Sequence, residues 1–325
     1  MSAAPTLEVD NLKTHFFTKA GVVKAVDGVS FHVNAGEILG LVGESGSGKS
    51  ITGFSILGLI DPPGRIVSGA IRFKGEDLAT FNEERLRSLR GNRIAMIFQD
   101  PMMTLNPVLR IDTQMVETVL AHESISRKEA LERAREALAL VGIPAPERRL
   151  LAYPHELSGG MRQRVAIAFI NKPDLVIADE PTTALDVTIQ AQILVEAQEL
   201  CRKTGTAMVW ITHDLAVIAA LADRIAVMYA GRVVEAGTAD EVIARPLHPY
   251  THGLLGSVPT RNQRGTRLTQ IPGMTPSLLN LPDGCAFAAR CPRAAPQCCE
   301  QPILSQPVPG RSVRCFKPLV AEAHA

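Results

Sequence analysis

Glu37-Ile38-Leu39-Gly40-Leu41-Val42-Gly43-Glu44-Ser45-Gly46-Ser47-Gly48-Lys49-Ser50 begins as a short apolar run and ends in a glycine-rich loop closed by Lys-Ser. The apolar run reads as a buried strand, and Ile51 to Ile60 carries the pattern of the helix that follows. Gly43 to Ser50 fits G-x-x-x-x-G-K-[ST] at every fixed position and lies in the strand–loop–helix context the motif requires. Gly43, Glu44, Ser45, Gly46, Ser47 and Gly48 offer backbone N–H groups that close around a β-phosphate. Lys49 reaches β- and γ-oxygens, and Ser50 is expected to ligate Mg2+. In this context a merely flexible glycine turn is the poorer reading.

Outward from this loop, short β-branched runs alternate with helical patterns, which predicts an α/β fold with a largely parallel sheet. Ile94 to Phe98, Leu175 to Ala178, Ala207 to Ile211 and Arg224 to Val234 have strand character. In Arg127 to Val141, Ala130, Ala134, Ala137, Leu138 and Val141 share one helical face, so an inserted helical section is expected at about 100–170. Beyond His248-Pro249-Tyr250 proline, glycine and cysteine rise, which places a boundary near 255 and a small loop-rich appendage after it. The expected domains are therefore 1–255 and 256–325.

A formal charge of +1 and no Lys/Arg block argue against a nucleic-acid partner, and 4% aromatics argue against base stacking. No run approaches the roughly 18 apolar residues that span a bilayer, and the N-terminus lacks a signal-peptide layout. A cytosolic chain is expected, with any membrane role exerted through partners. Five of the six cysteines follow residue 284, which in a reducing compartment suggests metal over disulfides.

Leu175-Val176-Ile177-Ala178-Asp179-Glu180 is an apolar strand ending in two carboxylates. Such a pair is often just solvated, but it follows a phosphate loop. Asp179 then suits the Mg2+ shell, with Ser50, and Glu180 suits a general base for water. Leu157-Ser158-Gly159-Gly160-Met161-Arg162-Gln163-Arg164 puts a hydroxyl and unobstructed N–H groups at a helix start, where orphan donors and the dipole favour an anion. The bland alternative is an ordinary serine N-cap.

This octet resembles the signature motif of the ABC ATPases. Leu175–Glu180 likewise resembles their Walker B strand, Gln99 their Q-loop glutamine, Asp186 in Ala184-Leu185-Asp186 their D-loop, and His213 their switch histidine. The order of these motifs, over about 6–240, resembles a complete cassette: a P-loop NTPase core of the ABC type with a helical insertion. The resemblance implies ATP and Mg2+, catalytic roles for Lys49, Glu180 and His213, and a dimer in which Ser158, Gly159 and Gly160 serve a nucleotide held by the other domain. Phe16 is the expected adenine-stacking aromatic, with Phe17 its competitor and core packing the alternative for either.

His248-Pro249-Tyr250-Thr251, Ile271-Pro272-Gly273 and Ser277-Leu278-Leu279 resemble the C-terminal extension of peptide-importer ATPases, as does Asn106-Pro107. That resemblance implies two membrane permease subunits, a second related ATPase or a second copy, an indirectly coupled substrate-binding protein, and a peripheral place on the cytoplasmic face of the membrane. The same group includes nickel and glutathione importers. A soluble ABC ATPase of translation or DNA repair is the alternative from another class. Cys285, Cys291, Cys298 and Cys315 match the extension's C-x5-C-x6-C-x16-C spacing, where some members carry a 4Fe–4S cluster. Zinc or no metal are the alternatives, and Cys299 is a substitute ligand. A cluster is expected to order an appendage too small for a core of its own. Cys201 reads as a core thiol. Between Ala168 and Pro173 only four residues intervene, about two fewer than the family usually has. That shortening bears on where the signature helix ends.

Overall fold

The computed structural model describes residues 4–99, 105–168, 173–182, 187–258 and 270–319. In chain order the strands begin with β1 (Leu7–Thr18), β2 (Gly21–Val33), β3 (Ile38–Val42), β4 (Gly64–Phe73), β5 (Glu76–Asp77) and β6 (Ile94–Ile97). They continue with β7 (Leu175–Asp179), β8 (Ala207–Thr212), β9 (Arg224–Tyr229), β10 (Arg232–Thr238), β11 (Ser305–Val308) and β12 (Arg311–Val313). Contacts divide the chain into two compact units, one of Met1–His32, Ile38–Ala79 and Trp210–Ala325, the other of Val33–Glu37 and Thr80–Val209. The division falls within β8.

In the first unit β2, β1, β4 and β5 form an antiparallel sheet, and β11, β12, β10, β9 and β3 lie side by side in another. β3 pairs in parallel with β9, Val42 opposite Val227, and every residue of β3 is buried. Its alternation-free run Ile-Leu-Gly-Leu-Val is what a strand covered on both faces needs. The helix after the glycine loop spans Lys49–Ile56 and stops short of the predicted Ile60. Gly58, at φ 64°, closes it: Gly58 N–H donates to Ser55 O (3.1 Å) and Leu59 N–H to Phe54 O (2.9 Å), a Schellman end. Arg224 to Val234 is a hairpin, not one strand. Ala230 (φ 47°) and Gly231 (φ 80°) make the two-residue turn that the strand twist favours.

The tail is loop-rich, as its composition predicts, and it packs onto the sheet of the first unit. β12 pairs with β10, Glu235 opposite Val313, and both Val313 and Phe287 are buried. Glu235 is fully buried with Arg311, whose guanidinium donates to its Oε1 at 2.6 Å. Low apolar periodicity concealed a segment that packs onto a sheet already present.

In the second unit β6 and β7 pair in parallel, Ile97 opposite Ala178. Arg93 Nε donates to Asp174 at 2.5 Å at the start of this pair. Helices Ile111–Leu120, Arg127–Leu140, Pro146–Leu150 and Gly159–Ile167 supply the helical section. In Arg127–Leu140, Ser126 accepts from Glu129 N–H, and Ala130, Ala134 and Leu138 are fully buried while Ala137 is half-buried. Cys201 is a buried thiol on the helix Val187–Thr204.

Candidate functional site

In the first unit β3 delivers the chain into the glycine loop. A Cβ on Gly43 would lie 2.2 Å from Met228 O, and one on Gly48 (φ 100°) 2.2 Å from Ala25 O. Only glycine allows the loop to press this closely on β9 and β2. Ser47 O accepts from Gly231 N–H (3.0 Å), which ties the loop to the β9–β10 turn. Lys49 is buried, and its ammonium donates to Gly43 O (2.8 Å), Glu44 O (3.0 Å) and Ser47 Oγ (3.4 Å). Ser45 and Gly46 crown the loop in solvent, and Ser50 is half-buried at the second position of the helix. The loop opens directly into the helix at Lys49, whose orphan N–H groups and dipole suit phosphate oxygens.

The tail reaches the same loop. Glu44 N–H donates to Tyr250 Oη at 2.9 Å. The Glu44 carboxylate receives Arg290 through both guanidinium nitrogens (2.6 and 2.9 Å) and Thr275 Oγ1 at 2.9 Å. The hydrogen bonds from Arg290 hold the Glu44 carboxyl below the usual carboxylate range, and the same pairing raises the guanidinium. Tyr229, Tyr250 and Phe287 pack edge-on around this group, ring centroids 4.6 to 5.4 Å apart. Sequence reasoning singled out the His-Pro-Tyr run but missed its role. His248 caps the helix Pro249–Gly256, and that presents Tyr250 to the loop. Arg290 and Thr275 carried no signal of their own, being 246 and 231 positions from Glu44.

His213 follows β8 on an exposed bend, beside Asp214, which caps the helix Leu215–Leu221 by accepting from Ala216 N–H (2.8 Å). Phe16 is half-buried on β1 against Gly64, and Phe17 is more exposed under Arg65, 4.3 Å from its ring.

In the second unit β7 is buried throughout, including Asp179. Glu180 turns out of the strand at φ 46°, a left-handed conformation that costs a non-glycine residue about 1–3 kcal/mol. Gln99 Nε2 donates to Glu180 Oε2 at 3.4 Å, so two of the predicted residues meet. Ser158 caps the helix Gly159–Ile167, accepting from Met161 N–H at 3.3 Å, with Gly159 and Gly160 as the first helical residues. A Cβ on Gly159 would meet nothing within 4 Å. Ser158 is thus an N-cap, as the bland reading has it, on an exposed helix start. Asp186 and the shortened segment 169–172 lie outside the described residues.

Cys285, Cys291, Cys298 and Cys315 line one cavity in the tail, with His248, Pro249 and Phe287 on its walls. Burial and the neighbouring thiols push Cys285, Cys291 and Cys315 up. Cys299 is exposed and does not line that cavity, so its role as a substitute ligand finds no geometric support. Among the described residues no three His, Cys, Asp or Glu side chains gather tightly enough to hold a single metal ion. No described helix is long and apolar enough to cross a membrane.

Comparison with known proteins gives the class first. The ABC transporter family model matches residues 26–183. The ATP-binding cassette MJ0796, solved as a post-hydrolysis dimer bound to ADP and Pi, superposes with a TM-score of 0.64 at 26% identity, over 72% of this chain and 98% of that one. The family model for the oligopeptide/dipeptide transporter C-terminal region then matches residues 234–298. The oligopeptide transport ATP-binding protein AppD of Bacillus subtilis (strain 168) is 52% identical over 95% of this chain and 96% of its own. OppD of Salmonella typhimurium is 48% identical over 96% and 94%. The chain belongs to the ABC transporter family, as an ATPase of the oligopeptide/dipeptide group.

Proposed function

We propose that this chain hydrolyses ATP to drive peptide import, docked at the cytoplasmic face of a membrane on two permease subunits and paired with a related ATPase or a second copy of itself. The observation that carries this reading is a cassette and a peptide-transporter tail matched on one chain over almost its full length. In this reading residues 1–255 bind nucleotide and 256–325 form the extension. Phe16 stacks on adenine, and Lys49 holds the β- and γ-phosphates with the loop N–H groups, apart from Glu44 N–H, which donates to Tyr250 Oη, and Ser47 N–H, which donates to Glu44 O. Mg2+, when bound through Ser50, Gln99 and Asp179, neutralises charge on the phosphates. Glu180 takes a proton from water as its oxygen bonds to the γ-phosphorus and the bond to the bridging β–γ oxygen breaks. Gln99 Nε2 donates to Oε2 of that carboxylate at 3.4 Å, which helps to orient it. His213 contacts the γ-phosphate, Asp186 crosses the dimer interface, and Ser158, Gly159 and Gly160 complete the cage from the opposite subunit.

The test uses the full chain assembled with its membrane subunits. Glu180→Gln is expected to lower kcat at least a hundredfold while ATP still binds, and to abolish uptake of labelled di- and oligopeptides. Hydrolysis at the wild-type rate would remove Glu180 from the role, and uptake of nickel or glutathione in place of peptides would replace the cargo.

The four-cysteine cavity supports a second reading, a 4Fe–4S cluster held by Cys285, Cys291, Cys298 and Cys315. Backbone N–H groups of Arg293 and Lys317 donate to the sulfurs of Cys291 and Cys315, both at 3.4 Å, which is how proteins stabilise cluster thiolates. A cluster would supply cross-links for the tail. Protein purified without oxygen is expected to be brown with about four irons per chain; a colourless, iron-free chain overturns this assignment.

A further inference from the structure

Glu44 occupies a variable position of the phosphate-loop pattern, so phosphate chemistry does not call for a carboxylate there. A bare negative charge beside a triphosphate site opposes binding, more strongly where water is partly excluded. In this chain the charge is matched. Arg290 grips both carboxylate oxygens, Thr275 adds a donor to Oε2, and Tyr250 takes the Glu44 N–H. Arg290 is itself fixed: it is 6% exposed, its Nε donates to Pro272 O at 2.9 Å and its guanidinium to Tyr229 Oη at 3.3 Å. The anchor is built within the tail and its far end is the second residue of the loop.

We propose that Arg290 is a positioning residue for ATP, which neutralises Glu44 and holds the phosphate loop in its binding shape from the C-terminal extension. The inference rests on the assignment of this loop to ATP and adds the tail to the nucleotide site. Because the ion pair acts on the loop before chemistry, its loss weakens ground-state and transition-state binding alike, and so raises KM with little change in kcat.

The experiment measures ATP hydrolysis by the full chain with its membrane subunits. Arg290→Met is expected to raise KM for ATP about tenfold, a factor worth about 1.4 kcal/mol, with kcat within twofold. Arg290→Lys keeps the charge but loses the two-pronged grip, and should raise KM less. Adding Glu44→Gln to Arg290→Met removes the unmatched charge and is expected to recover most of the affinity. A brace that only stabilises the fold would show no such recovery. A KM unchanged in Arg290→Met, or no recovery in the double variant, overturns the proposal. If Arg290→Met does not fold, Arg290→Lys with and without Glu44→Gln decides by the same comparison. Wild-type complex without ATP hydrolysis would instead overturn the ATPase reading itself.

Discussion

His248 is 2% exposed, with Nδ1 accepting from Tyr250 N–H at 3.0 Å and its ring 5.7 Å from that of Phe287. Burial pushes its pKa down from 6.5 to about 3, so the folded chain keeps it neutral. The unfolded chain binds the proton first, near pH 6.5. Stability is therefore intact above that pH and falls between about 6.5 and 3, at up to about 1.4 kcal/mol per pH unit. His248→Asn, which retains a capping acceptor, is expected to flatten that slope by one proton in urea titrations across this range. Identical slopes would place the pH dependence on other groups. Glu180 illustrates the opposite case at this scale. Its left-handed φ is strain in a residue whose type, not its conformation, was legible from the chain.

At the scale of the element, the phosphate loop and its helix follow from contiguous residues. Gly43, Gly48, Lys49 and Ser50 were legible because the motif fixes each type at each position. Gly48 shows why: it sits at φ 100° with a backbone oxygen where a Cβ would be. Gly48→Ala is expected to cost more than about 1 kcal/mol, left-handed strain plus collision with Ala25 O, and to lower nucleotide affinity. Denaturant melts and an ATP titration check both; wild-type stability would show that the loop relaxes easily. The helix boundary at Ile56 was less legible, because Gly58 is one of many glycines until its neighbours' hydrogen bonds make it a cap.

At the scale of the molecule, the tail is where the sequence says least. Its Pro, Gly and Cys content reads as an appendage without a core of its own, and it borrows one: it adds β12 to β10 and buries Phe287 and Val313. It also binds Glu235 through Arg311 and Glu44 through Arg290. Burying one charge without its partner costs about 3–5 kcal/mol, so each of these pairs commits distant segments to one another. Local composition contains no trace of such a commitment.

The sequence by itself determined the cassette: a strand-to-loop-to-helix phosphate site, an acid-ended strand and a serine-capped glycine helix. Each is a run of neighbours whose spacing encodes its own chemistry. Only the tertiary structure decided that Gln99 meets Glu180, that four separated cysteines share a cavity, and that Tyr250, Thr275 and Arg290 close on the phosphate loop. The physical reason is distance along the chain. An ion pair between residues 246 positions apart leaves no periodicity or motif to read, and exists only once the strands between them have packed.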